Sequence, residues 1–209
     1  MRAVAGGGAI DYLADALERE ARAGACGILS FGIAGGLCAG LSAGTWLVGD
    51  NVVTVTARWR CDCAWSHALR QCLPGALSAD LAGSDAPVTE PEEKRALHAK
   101  TRAAAVDMES HVAARIAAAH RLPFAAFRVV ADAVDRALPV AAAIALMPGG
   151  RISAGAVTRS VVRRPAQISL LVRTAIDANT ALRALSRGRR LLGPGLGYPN
   201  LRELALDIR

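Results

Sequence analysis

Apolar positions along the chain fall into short blocks whose period switches between that of strands and that of helices, with Gly and Pro at the joints. Arg2–Ala5 reads as a strand, and Gly6-Gly7-Gly8 as a tight turn into a helix whose buried stripe is Ile10, Leu13 and Leu17. Gly27–Ile33 is a second strand, running into a loop at Ala34-Gly35-Gly36-Leu37 where adjacent glycines let the backbone approach a ligand without Cβ interference. Residues 46–57 alternate as a strand pair or one bent strand, and Trp65, Leu69 and Leu73 mark a short helix. Residues 76–88 give another strand, and Thr89-x-x-Glu92 forms a capping box opening a polar helix through Ala99, with Arg95 and Lys100 on its solvated face.

The stretch from 103 to 135 organises the rest. Ala103–Val106 suits a short buried strand, and Asp107-Met108-Glu109-Ser110 opens a helix with apolar positions Val112, Ile116 and Ala119. Pro123 stops it, and Phe124–Ala131 is a strand apolar on both faces except at Arg128, as expected where helices cover both sides. Asp132 stands at its end. Ligands of open α/β sheets bind outside the carboxyl ends of strands, so Glu109 and Asp132 are placed to share a pocket. Each residue also has a plainer reading: a Glu in a first helical turn favours the dipole, and an Asp after a strand caps a turn. Beyond Asp132 the chain is loop-like to about residue 151, helical over 152–185, and ends in a Gly/Pro-rich tail over 191–209, giving one domain over 1–190.

The wording V-D-M-E-S at 106–110 and F-R-V-V-A-D at 127–132, with S-F-G-I-A-G-G-L at 30–37, resembles the nucleoside phosphorylase and nucleosidase superfamily. Within it, F-R-V-V-A-D-x-x-D-R-A-L-P at 127–139 and Ala131 beside Asp132 resemble the hopanoid-associated phosphorylases more than the methylthioadenosine/S-adenosylhomocysteine enzymes. The resemblance implies an α/β fold, a three-layer α/β/α sandwich with a mixed central sheet. It implies cleavage of a purine N-glycosidic bond, with adenosylhopane as substrate and adenine as leaving base. Methylthioadenosine/S-adenosylhomocysteine nucleosidase and purine nucleoside phosphorylase are the alternatives. It assigns Asp132 as catalytic acid, Met108 and Glu109 to the ribose, and Gly32, Ile33, Ala34, Gly35 and Gly36 to a phosphate or water loop. Asp85, Ala86, Pro87, Val106 and Asp107 would line the base pocket. Ile33 departs from the Ser of many relatives and offers no hydroxyl to an anion. Relatives place a further strand and loop ahead of the position of Arg2. The expectation is therefore a domain lacking its N-terminal strand or strands, with a non-catalytic nucleoside-binding remnant as the competing reading.

Composition bounds the rest. The chain has 209 residues, 53% hydrophobic and 4% aromatic, so the core is built from Ala, Val and Leu. No run of about 18 uncharged apolar residues suggests a spanning helix. Five scattered cysteines follow no disulfide framework, and Cys61, Cys63, His67 and Cys72 lack a second paired-ligand element for zinc, so no metal or cofactor is expected beyond inorganic phosphate as a co-substrate. The cysteine usage predicts a reduced cytoplasmic protein, and the resemblance implies a homo-oligomer with a small nucleoside substrate. The net charge of +7 is concentrated beyond residue 150. Without nucleic-acid motifs or interleaved aromatics, that basic stretch (Arg159–Arg190) fits either a solvated helix face or weak docking on the anionic inner face of a membrane.

Overall fold

The computed structural model describes residues 1–6, 9–138 and 168–199. It contains helices α1 (Ile10–Arg22), α2 (Cys63–Cys72), α3 (Pro91–Thr101), α4 (Ser110–Ala119) and α5 (Ile168–Leu191). The strands are β1 (Ile28–Gly36), β2 (Trp46–Val53), β3 (Arg58–Arg60), β4 (Leu77–Gly83), β5 (Ala105–Asp107) and β6 (Phe124–Asp132). Helices cover both faces of a mixed sheet, as the sequence suggests. The sheet order is β3-β2-β4-β5-β1-β6, and β6 pairs again with β2, so the sheet curls back on itself. β2, β4 and β5 run parallel, β1 and β6 run parallel, and the two groups meet antiparallel at β1–β5 and β2–β6.

Alternation along β6 explains why its sequence is apolar throughout. Phe124, Ala126 and Val130 enter a cluster with Leu13, Leu17, Val112 and Ile116 from α1 and α4. Ala125, Phe127 and Val129 enter the opposite cluster, with Trp65 and Leu69 from α2 and Ala181 from α5. Successive side chains of a strand point to opposite faces, so both must be apolar when both are covered.

Several elements differ from the expectation. Residues 1–6 carry no strand, so the Arg2–Ala5 strand does not form; Gly7 and Gly8 lie outside the described residues. The 46–57 segment is a strand pair, turned at Thr54, whose N–H donates to the Ala57 carbonyl at 2.8 Å. The α3 capping box is one residue later than expected: Glu90 is the N-cap, Pro91 follows it, and the Glu93 side chain reaches back to the Glu90 N–H. Proline belongs at the first helical position because its missing N–H has no intrahelical partner there. On α4 the buried face comprises Val112, Ala113, Ala114, Ile116 and Ala117, whereas Ala119 is exposed. The Gly/Pro-rich stretch after α5 packs back through buried Leu192 and through Tyr198, whose ring meets Trp65 edge-on. The expected helix over 152–167 and the tail from 200 lie outside the described residues.

Candidate active site

Asp107 and Asp132 close the two strands that flank β1. Gly35 of β1 lies opposite Val106 of β5 on one side and Asp132 of β6 on the other. The expected glycine loop is therefore strand: Gly32, Ile33, Ala34, Gly35 and Gly36 all belong to β1, with an irregularity between Ala34 and Gly35. The glycines serve close approach to Asp132. A Cβ at Gly35 would lie 3.3 Å from Asp132 Oδ2, and one at Gly36 would lie 3.0 Å from the Asp132 carbonyl oxygen.

Asp132 is buried and meets a cation. Lys94, fully buried on α3, donates from Nζ to Asp132 Oδ2, to the Ala133 carbonyl at 3.1 Å and to the Arg136 carbonyl at 2.7 Å. Burial pushes the Asp132 carboxyl above the usual range; the Lys94 ammonium pulls against it, and Asp177 of α5 adds to the rise. Among the described residues nothing donates a hydrogen bond to Asp132 Oδ1. Lys94 carries no motif that marks it in the sequence. Its phase was the available signal, since Lys94, Leu97 and Thr101 share one helical face and are buried or partly buried.

Asp107 behaves differently. Its Oδ1 accepts from the backbone N–H of Glu109 at 2.8 Å and of Ser110 at 2.7 Å, capping α4. Arg128 Nη2 donates to the same oxygen at 3.1 Å and to Ser30 Oγ at 2.6 Å, and Ser30 Oγ meets Ser110 Oγ at 3.2 Å. Arg128 Nε lies 3.0 Å from Oδ2 as an ion pair whose N–H is not aligned on the oxygen. Burial raises the Asp107 carboxyl, but the guanidinium and these donors outweigh it and hold the group below its ordinary value. Asp107, expected in the base pocket, is thus turned into the core, and Arg128, read only as an odd residue in an apolar strand, is its counterion.

Met108 and Glu109 are half-buried at the head of α4. Glu109 reaches toward the N-terminal segment: a Cβ at buried Gly6 would lie 2.7 Å from its Oε1. The pairing rule that joined Glu109 to Asp132 assumes parallel neighbours, yet β5 and β6 run in opposite directions on either side of β1. What brings the two junctions near is the brevity of β5, which meets β1 only at Gly35 and Gly36. Beyond β4, Asp85, Ala86 and Pro87 form a turn held by Ser84, whose N–H donates to the Asp107 carbonyl and whose Oγ donates to the Ala86 carbonyl. Asp85 is exposed and pairs with His111 Nε2 at 2.9 Å. No cluster of three or more potential metal-ligating side chains occurs among the described residues. Burial pushes the Cys61 thiol up to about 12.

The family model described as "Phosphorylase superfamily" matches residues 12–170, which include every one of these strands, α2 to α4 and α1 from its third residue. The chain belongs to the phosphorylase superfamily. Among curated proteins no sequence match is found. Solved structures of similar fold include the 5′-methylthioadenosine/S-adenosylhomocysteine nucleosidase of S. pneumoniae with a transition-state inhibitor, at TM-score 0.59 and 16% identity, covering 73% of this chain and 76% of that one. The corresponding nucleosidase of Helicobacter pylori gives 0.58 and 16%, covering 85% and 74%. The futalosine hydrolase of Helicobacter pylori gives 0.56 and 15%, covering 86% and 76%. These likenesses establish the phosphorylase fold.

Proposed function

We propose that this phosphorylase-superfamily chain cleaves the N-glycosidic bond of a purine nucleoside, with Asp132 as the general acid. The observation that carries the reading is Asp132 itself: a buried carboxyl with raised proton affinity, one oxygen held by Lys94 and the other free of protein donors among the described residues. As the C1′–N9 bond breaks, its electron pair passes to the base. A proton moving from Asp132 to N7 neutralises the charge that develops there; either an anionic phosphate oxygen bonds to C1′, or water does so and gives up a proton to solvent, and solvent returns a proton to Asp132. Glu109 accepts hydrogen bonds from the ribose hydroxyls and steadies positive charge on the sugar. Met108 packs on the sugar, and the Ser84–Pro87 turn lies at the base end.

For the substrate we favour adenosylhopane over methylthioadenosine, on the F-R-V-V-A-D-x-x-D-R-A-L-P wording. Such a substrate has a hydrocarbon body that resides in a bilayer. α5 exposes Val172, Ile176 and Leu182 beside Arg173, Arg183 and Arg187, a surface suited to an anionic leaflet. Arg159, Arg163 and Arg164 lie outside the described residues, and no helix among the described residues is long and apolar enough to cross a membrane. The test is adenine release from methylthioadenosine, from adenosine and from adenosylhopane in anionic vesicles, each with and without phosphate. Release from at least one supports the activity, and preference for the vesicle-borne substrate supports the finer reading. Tight nucleoside binding with no base release from any of them makes the chain a binding protein instead.

A further inference from the structure

Lys94 is the one fully buried lysine among the described residues, on a helix whose other basic and acidic groups are mostly exposed. Burying an ammonium is costly unless each of its donors finds an acceptor. All three N–H groups do: one carboxylate oxygen of Asp132 and the carbonyls of Ala133 and Arg136. Anchoring the turn after β6 would need only the two carbonyls, and the Leu138 N–H already ties that turn to the Thr89 carbonyl at 2.9 Å. The third bond goes to the group that the proposed reaction uses.

We propose that Lys94 is the positioning residue of the general acid, fixing Asp132 Oδ2 so that Oδ1 carries the reacting proton toward the base. The inference rests on the functional reading above and adds the reason for its geometry. An ammonium that donates to Oδ2 excludes a proton from that oxygen, so a protonated Asp132 carries its hydrogen on Oδ1. The carboxyl cannot turn away, because Lys94 is itself pinned by two backbone carbonyls. Among the described residues the charged groups facing Asp132 are Lys94 from α3 and Asp177 from α5. Removing the ammonium therefore removes the main opposition to burial and lets the carboxyl hold its proton to higher pH.

The experiment compares the full-length wild type with K94M, K94Q and K94R. In the two uncharged variants kcat is expected to fall on the order of tenfold or more, within the range of general-acid contributions, with little change in KM. The basic limb of their pH–rate profile, where the acid loses its proton, should move to higher pH. K94R keeps the charge and should keep the limb where the wild type has it. A purely structural role lowers melting temperature and rate at every pH and leaves the limb in place, and that result overturns the proposal. The carboxyl resonance of 13C-aspartate at position 132, assigned by its loss in D132N, gives a reading independent of turnover. It should titrate at higher pH in K94M or K94Q than in the wild type, and an unshifted titration also overturns the proposal. A wild type that releases no base sinks the enzymatic reading instead, and the two failures are distinct.

Discussion

Asp107 and Asp132 end the two strands on either side of β1, both are buried and both face one buried cation, yet their acidities move in opposite directions. Asp107 collects two backbone N–H groups, a guanidinium N–H and a second guanidinium contact at 3.0 Å. Asp132 receives one ammonium on one oxygen. Desolvation acts on both, and the number of donors decides which carboxyl overcomes it. The saturated pair holds α4 to the sheet; the other leaves Asp132 Oδ1 without a donor among the described residues. A buried ion pair is therefore no sign of a reactive site until its remaining lone pairs are accounted for.

The largest expected effect sharpens that contrast. In D132N the amide oxygen still accepts from Lys94, but no proton can be delivered. Base release should fall by ~10²–10⁴ while nucleoside binding persists, the usual range for loss of a general acid. Single-turnover base release and equilibrium binding on the same folded sample check this. Near wild-type turnover would put Asp132 in the same class as Asp107.

R128M attacks the other pair. It leaves a buried carboxylate without its counterion, which costs about 3–5 kcal/mol in comparable cases. Denaturant unfolding measures the loss. A change below about 1 kcal/mol, the level of an exposed pair, would show that the capping N–H groups suffice for Asp107.

This difference also marks how much was legible in the sequence. The strands, the α1 stripe and the V-D-M-E-S and F-R-V-V-A-D junctions follow from apolar period and residue type, which act locally. The counterions do not. Arg128 reaches Asp107 across 21 positions and Lys94 reaches Asp132 across 38, and no periodic pattern encodes which distant strand end a buried cation meets. The same holds for β5, whose antiparallel pairing with β1 follows from how the sheet closes rather than from its three residues. Adjacent glycines at Gly35 and Gly36 predict a loop, whereas here they make room for Asp132 inside a strand.

Glu109 is a third kind of carboxylate, half-buried and without a cation partner among the described residues. In E109Q one acceptor oxygen becomes a donor, so a riboside should lose about 1.5–3 kcal/mol of combined binding and turnover, the worth of one charged hydrogen bond. A 2′-deoxyriboside should lose less. Equal losses in kcat/KM for the two substrates would remove Glu109 from the ribose and leave it as a helix-end charge.

The smallest effect, and the one that separates the two aspartates most directly, is the sign of their pH dependence. Asp107 is held below its unfolded value of 3.8, so the stability it contributes is present above that pH and is lost as pH falls through its folded value. Asp132 is raised above 3.8, so its contribution is present below that value and is lost as pH rises through its higher folded value. D107N should therefore flatten the acid slope of stability by no more than about 1.4 kcal/mol per pH unit, the limit for one proton. D132N should leave that acid slope intact and flatten the dependence above pH 3.8. Slopes are the quantity to compare, because D107N also strands Arg128 and lowers the whole curve. If both variants flatten the same side, the two carboxyls titrate alike, and the contrast between a saturated and an undersaturated pair fails.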